Sequence, residues 1–201
     1  MTLFKEINFS ELEKQTRSLS LALDFRDSDT RQHSERVKEL CIAMSECFQL
    51  SPAEKGALRV SAIFHDIGKI GIPDNILMKP EKLNAEEWVM MRKHPAIGEQ
   101  LLLSTEMAGA VETAQIIRQH HEHHDGSGYP DGLLSAQISI GAKIISIVDS
   151  YDAMSYTRAY HRPKGHDQIM QIIEQETGIK HDPEIFKVFK EMIEKSPLKV
   201  T

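Results

Sequence analysis

Cysteine is scarce in this chain of 201 residues, which contains two, Cys41 and Cys47. Neither forms a CxxC pair, so the pattern argues against a disulfide framework and against a thiolate metal site. The start of the chain also lacks the cationic and apolar segments of a signal peptide. These features favour a reducing compartment, and we expect a cytoplasmic protein.

Long apolar runs and a basic excess are missing as well. No stretch approaches the ~18–20 apolar residues that span a bilayer, so we expect no membrane segment. Lys and Arg total 24 against 30 Asp and Glu, a net charge of −6. Because nucleic-acid polymers are bound through basic surfaces, we expect no such partner. Linkers rich in glycine, serine or proline are absent too, which favours one main domain.

Helical periodicity dominates what is present, and strand patterns are rare. Ser51 followed by Pro52 and Glu54 is typical of a helix start, as is Asn84 before Glu87. We therefore predict an all-α fold with a loop over residues 71–83. The predicted helices are Ser10–Phe25, Thr30–Phe48, Pro52 to near Gly68, one from Ala85, one from His94, 108–121, Ile138–Met154, His166–Glu176 and Pro183–Glu194.

The chain has ten histidines, four of them within His120–His124. Five segments place histidine or aspartate beside apolar helical stretches, at intervals that each suit one helix out and one helix back. A helical bundle could bring the five together in its core, as bundles with carboxylate-bridged metals do. The segments are His33, His65-Asp66, His94, His120-His121 and Asp149.

Taken singly, each histidine is also compatible with a surface or structural role. Asp149 is harder to explain that way, because it ends the apolar run from Ile144, where an unpaired carboxylate would cost much desolvation energy. A shared metal cluster accounts for these polar groups together. Their nitrogen and oxygen donors suit Fe, Mn, Co or Ni better than a structural zinc. Two metals sharing a carboxylate are typical of phosphoester hydrolysis.

Two motifs extend this picture. The segment His65–Lys69 resembles the HDxGK motif of the HD superfamily of metal-dependent phosphohydrolases, and His120–Pro130 resembles the HHExxDGxGYP string of its HD-GYP subfamily. The resemblance covers about residues 24–194. It implies a helical HD-domain bundle with a metal cluster in its core. We assign residues 24–201 to this domain and residues 1–23 to an N-terminal helical extension.

HD-GYP domains hydrolyse cyclic di-GMP to linear pGpG, often onward to GMP, and some act on cyclic GMP-AMP. The resemblance therefore implies a phosphodiesterase that uses two or three divalent ions, commonly iron or manganese, and a metal-bridging hydroxide. Asp66 is implied as the bridging carboxylate and Lys69 as the lysine beside the scissile phosphate. The implied metal ligands are His33, His65, Asp66, His94, His120, His121 and Asp149, with Asp29 for a third ion.

For the substrate, the resemblance implies contacts from Tyr129, Arg158 and Lys69. The segment around Arg158 departs from the family pattern, with Ala159 where proline is usual and His161 where a basic residue is usual. This departure bears on the strength and selectivity of dinucleotide binding. The remaining histidines fall outside the ligand positions, and we interpret them as surface or neighbouring residues.

Two other functions stay open at this point. One is an HD phosphohydrolase for cyclic GMP-AMP or another nucleotide phosphoester, and the other is a non-catalytic module that binds cyclic di-GMP and signals by contact. A second copy of the chain or a regulatory protein is the expected macromolecular partner.

Overall fold

Helices form nearly all of the regular structure in the computed structural model. It describes residue 7 and residues 9–26, 28–156 and 163–200, without the side chains of residues 28–31. Within these ranges no β-strand occurs beyond two isolated bridges, which confirms the all-α prediction. The helices are α1 (Phe9–Asp24), α2 (Ser28–Glu46), α3 (Pro52–Phe64), α4 (Asp74–Leu77), α5 (Ala85–Met91), α6 (His94–Leu103), α7 (Ala110–Gln119), α8 (Ile140–Ser155), α9 (His166–Glu176) and α10 (Pro183–Ile193).

Side-chain caps set several helix starts where the sequence predicts them. The Ser51 hydroxyl accepts the Glu54 N–H, and the Glu54 carboxylate accepts the Ser51 N–H. Asn84 and Glu87 form the same reciprocal pair before α5. Each pair satisfies backbone donors that a helix start otherwise leaves without partners.

Two local predictions between Phe64 and Leu83 are wrong. The α-helix ends at Phe64 rather than near Gly68, because Asp66 leaves helical geometry with φ −94° and ψ 1°, and a 3-10 turn, Ile67–Gly71, follows. The predicted loop over 71–83 contains the one-turn helix α4, which begins directly after Pro73. Proline suits this place because its fixed φ matches a helix start.

The core forms where α2, α3, α7 and α8 pack together, with α6 against α7 and against the 3-10 turn. Helix α8 is buried on several sides, with Ile144, Ile145, Ile147 and Val148 fully covered. Helix α1 packs on α2 and α3. The boundary between the N-terminal helical extension, residues 1–23, and the main domain, residues 24–201, stays a prediction. None of the described helices has both the length and the apolar composition needed to cross a bilayer.

Candidate metal centre

Five helices and their ends bring all seven predicted ligands of the principal cluster to one region. His33 projects from α2 and Asp149 from α8, whereas the other five lie at helix ends. His65 and Asp66 follow α3, His94 begins α6, and the pair His120 and His121 follows α7. Helix packing thus brings these residues close in space although they lie far apart in the sequence.

The ligand atoms fall into two groups of three. One atom each from His94, His120 and His121 lie within 4.8 Å of one another, and so do one atom each from His33, His65 and Asp149. Nε2 of His33 is 3.2 Å from Nε2 of His65 and 3.1 Å from Oδ1 of Asp149. Each group could hold one metal ion.

Asp66 lies between the groups, with one carboxylate oxygen turned to each. Its Oδ1 is 3.4 Å from Nε2 of His94, and its Oδ2 is 3.5 Å from Nε2 of His65. Asp66 is only 5% exposed, so water supplies little of the solvation of its carboxylate. This arrangement fits a carboxylate that two ions share.

Backbone carbonyls fix the orientation of three imidazoles. Nδ1 of His65, His94 and His120 lies 2.9, 2.9 and 2.6 Å from the carbonyl oxygen three residues earlier. Only a protonated Nδ1 can donate to a carbonyl, so Nε2 keeps its lone pair and faces the centre. A metal ion needs that tautomer.

His33 is held by a carboxylate instead. Its Nδ1 lies 2.7 Å from Oδ2 of Asp152, and Arg36 donates from Nε and Nη2 to the same carboxylate at 2.7 and 2.9 Å. Asp152 is 3% exposed, and burial opposes its charge, yet His33 and Arg36 lower its pKa. A histidine that donates its second N–H to a carboxylate is a common support for a metal ligand.

Burial keeps most of these imidazoles neutral. It lowers the pKa of His94 to about 4 and that of His120 to about 3, and it also lowers the pKa of His65 and His121. His33 differs: burial acts in the same direction, but Asp149 and Asp152 outweigh it and raise its pKa to about 9. Metal binding at His33 therefore releases a proton.

The two central carboxylates stay ionised. Burial opposes their charge, but Lys69 and the neighbouring histidines hold the pKa of Asp66 well below its usual range. His33 does the same for Asp149. The donor set thus combines imidazole nitrogens with anionic oxygens, which fits divalent transition-metal ions.

Lys69 and Tyr129 border the centre. Nζ of Lys69 donates to Oδ2 of Asp66 at 2.7 Å across the 3-10 turn. The ring of Tyr129 stacks on His121 with centroids 4.8 Å apart, and the guanidinium of Arg92 lies 5.4 Å from the Tyr129 centroid. A cation and an aromatic ring therefore lie next to the candidate ligands.

Two predicted site residues cannot be placed. Arg158 lies outside the described residues, and so does the side chain of Asp29. Conversely, Arg36 supports the centre by donating to the Asp152 carboxylate, a role that was not predicted from the sequence. The spacing of three residues between His33 and Arg36, and between Asp149 and Asp152, was the available signal, since such residues share a helix face.

Family membership follows from comparison with known proteins. The HD domain family profile matches residues 17–185. The chain belongs to the HD domain family. Its HDxGK segment, residues 65–69, lies at the centre of the cluster, which confirms the resemblance noted in the sequence.

Relatives within the HD domain family carry informative names. The chain is 38% identical over 171 residues to a cyclic di-GMP phosphodiesterase of Thermotoga maritima, covering 85% of this chain and 46% of that protein. It is 33% identical over 174 residues to 3′3′-cGAMP-specific phosphodiesterase 2 of Vibrio cholerae, covering 87% and 33%. The chain thus spans less than half the length of these relatives.

A solved structure supports the fold. An HDG"Y"P protein from Bdellovibrio bacteriovorus superposes with a TM-score of 0.65 at 20% identity, covering 92% of this chain and 60% of that one. Identity at this level speaks for the fold alone. The HD-domain bundle predicted from the sequence is confirmed.

Proposed function

We propose that this HD domain is a metal-dependent phosphodiesterase that hydrolyses cyclic di-GMP to pGpG, with onward hydrolysis to GMP as a second step. The observation that carries the proposal is the pair of three-ligand groups joined by Asp66, with Lys69 donating to that carboxylate. The name of the Thermotoga maritima relative supports the substrate.

In this proposal the two groups hold two divalent ions, iron or manganese. His33, His65 and Asp149 would hold one ion, the three remaining histidines of the cluster would hold the other, and Asp66 would offer one carboxylate oxygen to each. A third ion would involve Asp29, four residues before His33 on α2, where the two share a helix face.

When bound, the ions lower the pKa of a water molecule and neutralise charge on the phosphate. The chain contributes position and charge. Lys69 stabilises the negative charge that grows on the phosphoryl oxygens, and Tyr129 and Arg158 hold the dinucleotide so that attack occurs in line. One water is consumed, one P–O3′ bond breaks, and the phosphate stays on the 5′ oxygen.

A second candidate substrate is cyclic GMP-AMP, because a relative in Vibrio cholerae is named for it. A non-catalytic binding module is less well supported, since all seven residues of the principal ligand set are present and together. The cytoplasmic location, and a second copy or a regulatory protein as partner, stay predictions.

A substrate panel tests the proposal. Protein purified and iron-loaded without oxygen, and a manganese-loaded sample, are incubated with cyclic di-GMP, cyclic GMP-AMP and a linear phosphodiester, and products are separated by chromatography. We expect cyclic di-GMP to be consumed fastest and pGpG to appear first. Faster turnover of cyclic GMP-AMP would make that dinucleotide the substrate instead. Tight binding of cyclic di-GMP without turnover would favour the non-catalytic binding module.

A matched variant separates the site from general effects on folding. His166 is a buried histidine outside the centre, hydrogen-bonded to the Tyr151 hydroxyl and the Glu194 carboxylate. We expect His166→Gln to keep its metal and activity in the fraction that folds, whereas His94→Gln loses metal and activity together. Equal losses in both variants would contradict the assigned ligands.

A further inference from the structure

Glu122 is a buried carboxylate that belongs to neither ligand group among the described residues. It is 2% exposed and directly follows His121. Its Oε1 accepts the N–H of Asp131 at 2.6 Å, and its Oε2 accepts the N–H of Leu133 at 2.8 Å. A buried carboxylate needs such partners, because it has lost its hydration.

The backbone that binds Glu122 is shaped as an anion site. Gly132, between the two donors, has φ +66°, a left-handed conformation that glycine adopts readily. Successive N–H groups around such a residue form a concave nest for a negative group. From the other side, Arg118 donates to the Asp131 carboxylate at 2.7 and 2.8 Å.

Close backbone packing ties the middle of the loop to the same residue. A Cβ on Gly128 would lie 2.3 Å from the nitrogen of His123 and 2.5 Å from Cα of Glu122. The loop from residue 126 to residue 133 therefore packs against the backbone of Glu122 at Gly128, and the Glu122 side chain binds the end of the loop at Asp131 and Leu133. Without the carboxylate, the far end of the loop loses two hydrogen bonds.

This loop carries Tyr129 to the metal centre. The N–H of Tyr129 donates to the carbonyl of His121 at 3.1 Å, and the Tyr129 ring stacks on the His121 ring. We propose that Glu122 is a positioning residue, which holds this loop so that Tyr129 lies beside the metal centre and binds the dinucleotide. The effect on substrate rests on the proposed function, whereas the effect on the loop does not.

The substitution Glu122→Gln tests the role at almost constant shape. An amide offers one oxygen and one NH₂ group, so one of the two backbone donors would face another donor. We expect hydrogen exchange at Asp131 and Leu133, followed by NMR, to accelerate at least about tenfold, since a hydrogen bond to a charged group is lost. Metal content should stay that of the parent protein.

In steady-state kinetics we expect Glu122→Gln to change KM much more than kcat. KM for cyclic di-GMP should rise about tenfold while kcat changes less than about threefold, because substrate positioning is lost and the metal ligands are kept. Glu54→Gln is the matched control, since Glu54 also accepts a backbone N–H, from Ser51 at 2.8 Å. Glu54 lies at the opposite end of α3 from His65, so neither KM nor loop exchange should change.

A double-mutant cycle asks whether Glu122 acts through Tyr129. If it does, Tyr129→Ala raises KM much less in the Glu122→Gln background than in the parent protein. Independent, multiplying effects would overturn the inference. So would a Glu122→Gln variant with parental exchange rates and KM.

The two proposals can fail separately. If the metal-loaded parent protein hydrolyses none of the substrates, the proposed function fails, and the exchange experiment still decides the positioning of the loop. If Glu122→Gln does not fold, Glu122→Asp keeps the charge but shortens the side chain by one methylene, so that the carboxylate no longer reaches both backbone N–H groups. A raised KM with parental metal content would then support the inference, and an unchanged KM would overturn it.

Discussion

Gly68 joins the 3-10 turn to α6 so closely that a methyl group has no space there. A Cβ at this position would lie 1.9 Å from the carbonyl oxygen of His94 and 2.6 Å from the nitrogen of Gly98. Non-bonded atoms normally lie about 3.5 Å apart, so in Gly68→Ala the turn and α6 must separate by roughly 1.5 Å. Both obstacles are backbone, which cannot rotate aside.

This separation acts on the candidate metal centre directly. Asp66 precedes Gly68 by two residues and His94 opens α6, so their 3.4 Å approach would lengthen. Overpacking of this kind costs about 2 kcal/mol of the free energy of unfolding, which lowers Tm by about 4–8 °C in a protein of this size. A displacement of about 1 Å also lowers turnover about a hundredfold.

Gly71→Ala provides the control within the same turn. Its Cβ would meet only the side chain of Ile97, at 3.1 Å, and a flexible side chain can move. Calorimetry, metal analysis and turnover of the two variants side by side check the prediction. If Gly68→Ala has the Tm, metal content and rate of Gly71→Ala, the turn does not set the geometry of the centre.

Three further predictions concern the carboxylate that supports His33, Lys69, and the buried histidines. Asp152→Asn should weaken metal affinity about 10–100-fold, since His33 loses its supporting carboxylate; competition with a chelator measures this, and parental affinity would refute it. Lys69→Met should lower kcat about 10²–10³-fold with metal content kept, whereas full turnover would remove its role. In metal-free protein, burial lowers the pKa of His94 to about 4 and of His120 to about 3. Below about pH 6.5 the folded state therefore binds fewer protons than the unfolded state. The free energy of unfolding should fall as pH decreases from about 6.5 towards 4, by up to about 1.4 kcal/mol per pH unit for each histidine. The raised pKa of His33, about 9, acts oppositely: its stabilisation is full below about pH 6.5 and is lost as pH rises to 9. Urea unfolding across this range checks both signs: a flat profile below about pH 6.5 would contradict the prediction for His94 and His120, and a flat profile between about pH 6.5 and 9 would contradict the prediction for His33.

Local signals in the sequence predicted much of the architecture. The Ser51 and Asn84 caps are formed with the partners expected, because capping needs residues only three positions apart. The regular intervals between His33 and Asp149 predicted a shared centre, since each interval is one helix out and one back. Helix packing then brings the segments together.

Long-range contacts lay beyond the sequence. Asp66 turns one oxygen to each ligand group only because a 3-10 turn replaces the end of α3, and no residue pattern marked that turn. Glu122 stood within a recognisable motif, yet its role depends on Asp131 and Leu133 across a closed loop. Such contacts follow from tertiary packing rather than from spacing. The roles of Arg158 and Asp29 stay predictions.

Metal content and turnover, measured together, decide whether the ligand cluster is a catalytic metal centre. Protein reconstituted with iron or manganese without oxygen is compared with Asp66→Ala, with metal per chain and pGpG formed from cyclic di-GMP determined on the same samples. We expect at least two ions per chain and turnover in the parent protein, and loss of both in a folded Asp66→Ala variant. Parental turnover by that variant, or a metal-loaded parent protein that forms no linear product, would contradict this expectation.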